Sequence, residues 1–422
     1  MTGFRPYCED SSLPQRSASH RSRAVQAAIT ACALLALLAA GIANGQSWGP
    51  RNLDELKTET LERARAGRGP VGKIKAEDAE RAVAALHDLE RDTWATAWSD
   101  IGDEYLELAR NASGAEGARE AYFHAWRYFD VARWPTEKHS EGKRRAYQKG
   151  LEAFRQYGSL LDPPVETVRI PFEGGEIVGY LRLPRETRPA PLVFGMNGLD
   201  SRKEEVMYLS DAYVENGIAA FAVDMPGTGE APLLIDVGSE RMLSAAIDYL
   251  VERPEIDRSR IVVQGRSWSG YWAAVLAYTE RERIAGAVVH GVGIHHYFQP
   301  QWQEKAIMSP EYLFDLFPAR SVVYGVSNME QFLAYGPRLS LVERGLIDQP
   351  SAPMFLVNGE RDSQQPIEDL YLLMRHGDPK LAWVNPAGGH MGRSADWPDE
   401  RVQADVVRPW VMRQLGVEPA RD

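Results

Sequence analysis

A hydroxyl, an imidazole and a carboxylate are what nucleophilic cleavage of an acyl bond requires, and the chain supplies them in a usable order. Ser267 stands in Gly265-Arg266-Ser267-Trp268-Ser269-Gly270, between the apolar run Ile261 to Gln264 and a helix-forming segment that begins near Ser269. Small residues two positions either side of the serine let a strained strand-to-helix turn close and expose its hydroxyl. The last motif position holds Ser269 rather than Gly. A serine that merely caps a helix is the plainer reading, but the flanking strand and helix patterns favour a nucleophile elbow. Asp362 follows the apolar run Phe355-Leu-Val-Asn-Gly359, and His390 follows Trp383-Val-Asn-Pro-Ala-Gly388-Gly389. Each sits just past a strand pattern, and the ends of parallel strands converge on one sheet edge. Glu360 shares the Asp362 turn but projects to the other side if that turn is extended.

Charge developing on a substrate oxygen needs two aimed N–H donors. Trp268, directly after the serine, supplies one; the turn Asn197-Gly198-Leu199 supplies the other through Leu199, Gly198 letting the backbone bend towards the site. A plain strand-helix connection is the alternative for that turn. His290, His295 and His296 lie near another strand end. With Glu304 they could suggest a metal site, yet their spacing matches no common zinc motif, so neither metal nor organic cofactor is expected. His295 and His296 are instead candidate substrate-binding residues, or satisfy local hydrogen bonds. Asp224, in Asp-x-Pro-Gly-x-Gly, is expected to organise a turn.

These residues imply the elements that carry them. From Val165 the pattern is a β-hairpin, Val165 to Phe172 and Glu176 to Leu183, and then short apolar strands alternating with helices. The strands are a run from Pro191 into the Asn197-Gly198 turn, a run from Ile218 into the turn of Asp224 to Gly229, the elbow strand, Ile284 to His290, Ala352 to Asn358 and Lys380 to Asn385; helices are expected at 203–215, 240–252 and 401–415. This is the grammar of an α/β fold with a mostly parallel sheet covered on both faces. About 60 residues separate His290 from the next strand, so an insertion at about 291–350 should lie over the Ser267 mouth as a lid or pocket wall. Before the sheet, residues 46–162 read as helical, with apolar periodicity at 79–89, 94–108, 116–131 and 140–157. Asp162-Pro-Pro164 ends that segment, since consecutive prolines cannot continue a helix. Its aromatics, Trp94, Trp98, Tyr122, Trp126, Tyr128 and Trp134, fit a core or domain interface, with a pocket lining as the sharper alternative.

At 422 residues, the chain exceeds one ordinary domain, and 44% hydrophobic with 25% charged residues is a globular composition. A net charge of -11 without a basic cluster argues against nucleic-acid binding. Arg16, Arg21 and Arg23 precede the apolar run Ala24 to Ala43, which reads as a signal peptide over 1–45 and an exported, periplasmic or extracellular protein. A retained membrane anchor is the competing reading, and a lipoprotein box at Cys32 a third. Both cysteines, Cys8 and Cys32, precede the expected cleavage site, so the mature chain has no disulfide and no stable membrane partner is expected.

Leu160-Leu-Asp-Pro-Pro-Val-Glu166, Asn197-Gly-Leu-Asp-Ser-Arg-Lys-Glu-Glu205 and Gly265-Arg-Ser267, with the helical leader, resemble a group within the α/β-hydrolase superfamily. That group contains dihydropseudooxynicotine hydrolase, fungal pigment-polyketide hydrolases and fermentation-respiration switch esterase-like proteins. The resemblance covers 165–415 for the superfamily. It implies an α/β-hydrolase fold (163–422), a Ser267-Asp362-His390 triad and a leader that forms part of a cap. Ser269 in place of Gly and the export signal depart from the group's pattern. The resulting expectation is an exported serine hydrolase that cleaves a small carboxylic ester through an acyl-enzyme, with a small molecule as its partner. Hydrolysis of a ketone carbon-carbon bond is the runner-up. A peptidase of the prolyl-oligopeptidase type fits worse because the leader is helical and too short for a propeller. A non-catalytic binding protein fits worse because the triad is complete.

Overall fold

The apolar runs between the helices close into a single eight-stranded sheet in a computed structural model that describes residues 51–375 and 379–418. The expected signal peptide, its cleavage site, the anchor alternative, Cys8 and Cys32 lie outside the described residues. Among the described residues no helix is long and apolar enough to cross a membrane.

The strands are β1 (Glu166–Phe172), β2 (Gly175–Arg182), β3 (Ala190–Met196), β4 (Ala219–Val223), β5 (Ile256–Arg266), β6 (Gly286–His290), β7 (Met354–Gly359) and β8 (Lys380–Asn385). They lie in the order β1-β2-β4-β3-β5-β6-β7-β8. β1 and β2 form the expected antiparallel hairpin and β2 joins β4 antiparallel; every later pairing is parallel. β3, β4, β6 and β7 are buried along their whole length, which is why they read as nearly continuous apolar runs rather than as alternation. Register brings Val193 beside Val262, Val263 beside Ala287 and Val288 beside Phe355, so β-branched and aromatic side chains fill the middle of the sheet. The carboxyl ends of β3, β5, β6, β7 and β8 therefore open on one edge.

Among the described residues, five α-helices precede the sheet: α1 (Leu53–Arg65), α2 (Ala76–Ala85), α3 (Arg91–Arg110), α4 (Ala115–Arg133) and α5 (Glu141–Ser159). Their aromatics are mostly core and interface. Trp126 and Phe154 meet edge to face at 4.9 Å, and Phe154 reaches Tyr180 of β2 at 5.1 Å. Trp94 and Trp134 pack on Phe314 of the insertion at 4.8 and 5.2 Å. Leader, insertion and sheet thus share one continuous hydrophobic cluster.

Between β3 and β4 run α6 (Lys203–Tyr208) and α7 (Asp211–Val214); α8 (Arg241–Val251) follows β4 and α9 (Ser269–Thr279) follows β5. The insertion carries α10 (Pro300–Ala306), α11 (Leu316–Tyr324) and α12 (Met329–Tyr335), the helices of its own that its length demanded. After β7 comes α13 (Ile367–Met374), and the chain closes with α14 (Asp399–Arg401), a π-helical stretch (Val402–Val407) and α15 (Arg408–Gln414).

Some elements differ from the sequence reading. The helix expected over 203–215 is two pieces, because Arg182 reaches Ser210 Oγ at 3.3 Å and pairs with Asp211 at the break. The elbow strand starts at Ile256 rather than Ile261; the four residues after Ile256 are polar and none is buried, so this half gives no apolar run. The eight-residue α13 between β7 and β8 was not anticipated.

Candidate active site

The elbow is built where β5 turns into α9. Ser267 adopts φ 55°, a left-handed conformation that an L residue holds only when its surroundings impose it. Those surroundings are explicit. The Ser267 N–H donates to the His290 carbonyl at 2.7 Å, and the Gly270 N–H donates back to the Ser267 carbonyl at 2.9 Å. A Cβ at Gly265 would stand 2.0 Å from the Ser269 carbonyl oxygen, so only glycine lets the turn close. Ser269, the departure from the usual glycine, is fully buried and its hydroxyl works inside the turn. It accepts from the Arg266 N–H at 2.8 Å and lies 2.8 Å from the Met196 carbonyl, tying the elbow to β3.

The structure brings Ser267, His390 and Asp362 together. Ser267 Oγ is 2.8 Å from His390 Nε2, and His390 Nδ1 is 2.9 Å from Asp362 Oδ2. An ionised carboxylate only accepts, so Nδ1 carries the ring proton and Nε2 is left as an acceptor facing the Ser267 hydroxyl. Burial alone would raise the Asp362 carboxyl. His390 and the amides of Gln365 and Gln364 outweigh it and hold the group below its usual range, so the acid stays charged. Glu360 is exposed, whereas Asp362 is buried against the imidazole.

The turn after β3 lies against Ser267: a Cβ at Gly198 would stand 2.7 Å from Ser267 Cβ and 3.0 Å from its Oγ. Neither the Leu199 nor the Trp268 N–H is donated to a partner among the described residues. Asp224 is occupied in its turn, accepting from the Lys203 N–H at 2.9 Å, the Lys203 ammonium at 2.8 Å and the Glu230 N–H at 3.0 Å. His295 and His296 have local partners. His295 Nδ1 is 2.7 Å from Ser340 Oγ and His296 Nδ1 is 2.8 Å from Asp369, whose carboxylate also accepts the N–H groups of Ile294, His295, His296 and Tyr297. Among the described residues no cluster of His, Cys, Asp and Glu could hold a metal ion.

Two positioning features escaped the sequence. One is a route from leader to acid loop. Arg51 and Arg63 donate to the carbonyls of Tyr312 and Glu311, each at 2.7 Å, and Glu311 in turn accepts from Ser363 and Gln364 at 2.5 and 2.6 Å. The leader thus holds the insertion, and the insertion holds the loop of Asp362. Nothing in a one-dimensional pattern marks an arginine that will meet a carbonyl some 250 positions away.

The other is His290. Its carbonyl fixes the Ser267 N–H, while its ring lies 2.8 Å from the Met391 carbonyl through Nε2 and 2.9 Å from Gln403 Nε2 through Nδ1. Because the Gln403 amide donates to Nδ1, the proton sits on Nε2 and is given to Met391, next to His390. Gln403 Oε1 accepts from Gln264, and Gln264 from Tyr213, at 3.0 and 2.9 Å. One histidine therefore ties the elbow to the histidine loop. Burial, helped by Arg266, holds its ring neutral down to about 3. An unfolded histidine charges below about 6.5, so the native state loses stability as pH falls from there towards 3, by about 1.4 kcal/mol per pH unit for this group. Thermal unfolding of wild type between pH 7 and 5 should show that slope, and His290→Asn should flatten it while lowering turnover by about 10²-fold through misplacement of His390. Equal slopes and turnover in both proteins would remove His290 from this role.

A model described as esterase FrsA-like matches residues 71–384, most of the chain and every strand from β1 to β7. The chain belongs to the FrsA-like esterase family. A curated relative in that family, esterase FrsA of Vibrio vulnificus (strain YJ016), is 28% identical over 286 residues, 65% of this chain and 66% of the relative, so the chain spans just under two thirds of that protein's length. Among solved structures, 2,6-dihydroxy-pseudo-oxynicotine hydrolase superposes with a TM-score of 0.68 at 22% identity, covering 83% of this chain and 96% of that one. AbyA5 superposes with a TM-score of 0.67 at 20% identity, covering 86% and 95%. At these identities the structural likenesses establish the fold, an α/β-hydrolase sheet with a helical leader, and the FrsA-like match extends from the leader to β8.

Proposed function

We propose that this FrsA-like chain is a serine hydrolase that cleaves a small carboxylic ester through an acyl-enzyme on Ser267. The observation that carries the reading is the unbroken line from Ser267 Oγ through His390 to Asp362, on an elbow held at positive φ. Ser267 Oγ attacks the ester carbonyl carbon as its proton passes to His390 Nε2, and the Leu199 and Trp268 N–H groups receive the oxyanion. Collapse breaks the carbon-oxygen bond, and His390 returns the proton to the departing alkoxide. Water then adds to the acyl carbon, giving a proton to His390, and Ser267 leaves with that proton while the acid is released. Asp362 stays ionised throughout and stabilises the imidazolium.

A small substrate is favoured by what surrounds the Leu199 turn. Trp134 of the leader donates to Asp200 at 2.9 Å, and its ring lies 5.2 Å from Tyr312 of the insertion. Leader and insertion so meet beside the site, which suits an enclosed pocket better than an open groove for a polymer. Cleaving a carbon-carbon bond would need a donor for the carbanion. The two side chains considered for it, His295 and His296, have Nδ1 engaged with Ser340 and Asp369, which leaves the ester reading ahead.

Covalent labelling with a fluorophosphonate probe tests the proposal. One equivalent should attach to Ser267, and prior acylation by a 4-nitrophenyl ester should block it. Labelling elsewhere, or none by a folded protein, would overturn it.

A further inference from the structure

Taking a guanidinium out of water costs several kcal/mol unless a carboxylate meets it. Six arginines among the described residues are buried, and five obey that rule: Arg63 pairs with Glu59, Arg127 and Arg133 with Asp130, Arg182 with Asp211 and Arg202 with Glu137. Arg320 does not. It is 2% exposed on α11 of the insertion, and among the described residues its one side-chain hydrogen bond runs from Nη1 to the neutral Gln303 Oε1 at 3.2 Å. Its Nε is buried without an acceptor. The guanidinium stands 5.5 Å over the Tyr297 ring, a cation-π contact of about 2 kcal/mol when desolvated, which falls short of the cost of burial.

Arg320 belongs to the aromatic cluster that backs the nucleophile. Trp268, next to Ser267, meets Tyr297 at 5.9 Å and Tyr324, one turn along α11 from Arg320, at 5.5 Å. Trp268 Nε1 is a second buried donor in this cluster without an acceptor. Burial raises the hydroxyls of Tyr297, Tyr312 and Tyr324, and the charge of Arg320 opposes that rise in all three. Two orphaned donors of one cluster, one of them cationic, call for an anionic acceptor that no side chain among the described residues supplies within hydrogen-bond reach. The edge formed by Nε and Nη2 makes no hydrogen bond to the described protein, and two parallel N–H groups fit the two oxygens of a carboxylate.

We propose that Arg320 is a specificity residue that binds a carboxylate on the substrate, so the preferred ester is a half-ester of a dicarboxylic acid. This rests on the ester-hydrolase reading. The test compares mono-(4-nitrophenyl) glutarate with its neutral methyl ester on the full chain. Wild type should favour the acid in kcat/KM by about 30-fold, the discrimination expected of a desolvated charge-assisted pair. Arg320→Met should cut that preference at least tenfold, and Arg320→Lys should retain part of it. Preference for the methyl ester in wild type, or an unchanged ratio in a folded Arg320→Met, would overturn the proposal. A second measurement needs neither turnover nor the variant: glutarate, but not glutaramide, should bind Ser267→Ala by calorimetry. Binding of glutarate without hydrolysis of any ester would retain the carboxylate site and reject the ester reading; hydrolysis of neutral esters with no glutarate binding would do the reverse.

Discussion

Replacing Ser267 with Ala is expected to lower kcat/KM for the best ester by about 10⁴-fold or more, with the residual rate coming from the oxyanion donors and binding. The fold should not change. Both residues carry a Cβ, so the strain at φ 55° is common to them, and the contacts that close the elbow come from the Ser267 backbone and from Ser269, not from the Ser267 hydroxyl. Steady-state kinetics with matched thermal unfolding curves checks both halves. A folded Ser267→Ala protein within tenfold of wild type would exclude the serine from the chemistry. Loss of folding would show instead that the Ser267–His390 contact is structural.

A chain that begins at Pro163 is expected to lose all activity and to aggregate. The leader is not an appendage: its side chains share one core cluster with the sheet and the insertion. Cutting it away exposes Tyr180, Tyr312 and Phe314, now covered by Phe154, Trp134 and Trp94. It also removes the partners of buried charges. Arg202 loses Glu137, whose carboxyl burial would raise but Arg202 and Arg133 hold at about 2, and fully buried Asp315 loses Arg91 and Lys143. Removing one member of a buried ion pair costs about 3–5 kcal/mol, and two such losses approach the whole stability of a domain. The hold of Arg51 and Arg63 on the insertion, and so on the Asp362 loop, goes with them. Size-exclusion chromatography, circular dichroism and ester assay of the truncated chain decide the matter. A soluble monomer with full activity would show that the leader neither caps nor supports the site.

The sequence by itself determined the parts whose signal is local. Nearly continuous apolar runs marked β3, β4, β6 and β7, because a strand buried on both faces carries few polar side chains. Gly265, Ser267 and Ser269 marked the elbow because a turn that tight tolerates only small neighbours, and the strand ends after it led to Asp362 and His390. What it could not supply were properties of pairs remote in the chain. Ser269 reads as a defect in a motif until its hydroxyl is seen between Arg266 and Met196. His290 reads as a spare histidine until its ring is found on the Met391 carbonyl. Arg320 is one of 48 basic residues in the sequence, and only the folded chain shows that its guanidinium is buried without a carboxylate. Periodicity and turn chemistry act over a few residues and are written in order along the chain. Hydrogen bonds and buried charges depend on which distant segments the fold brings together, and that only the tertiary structure decided.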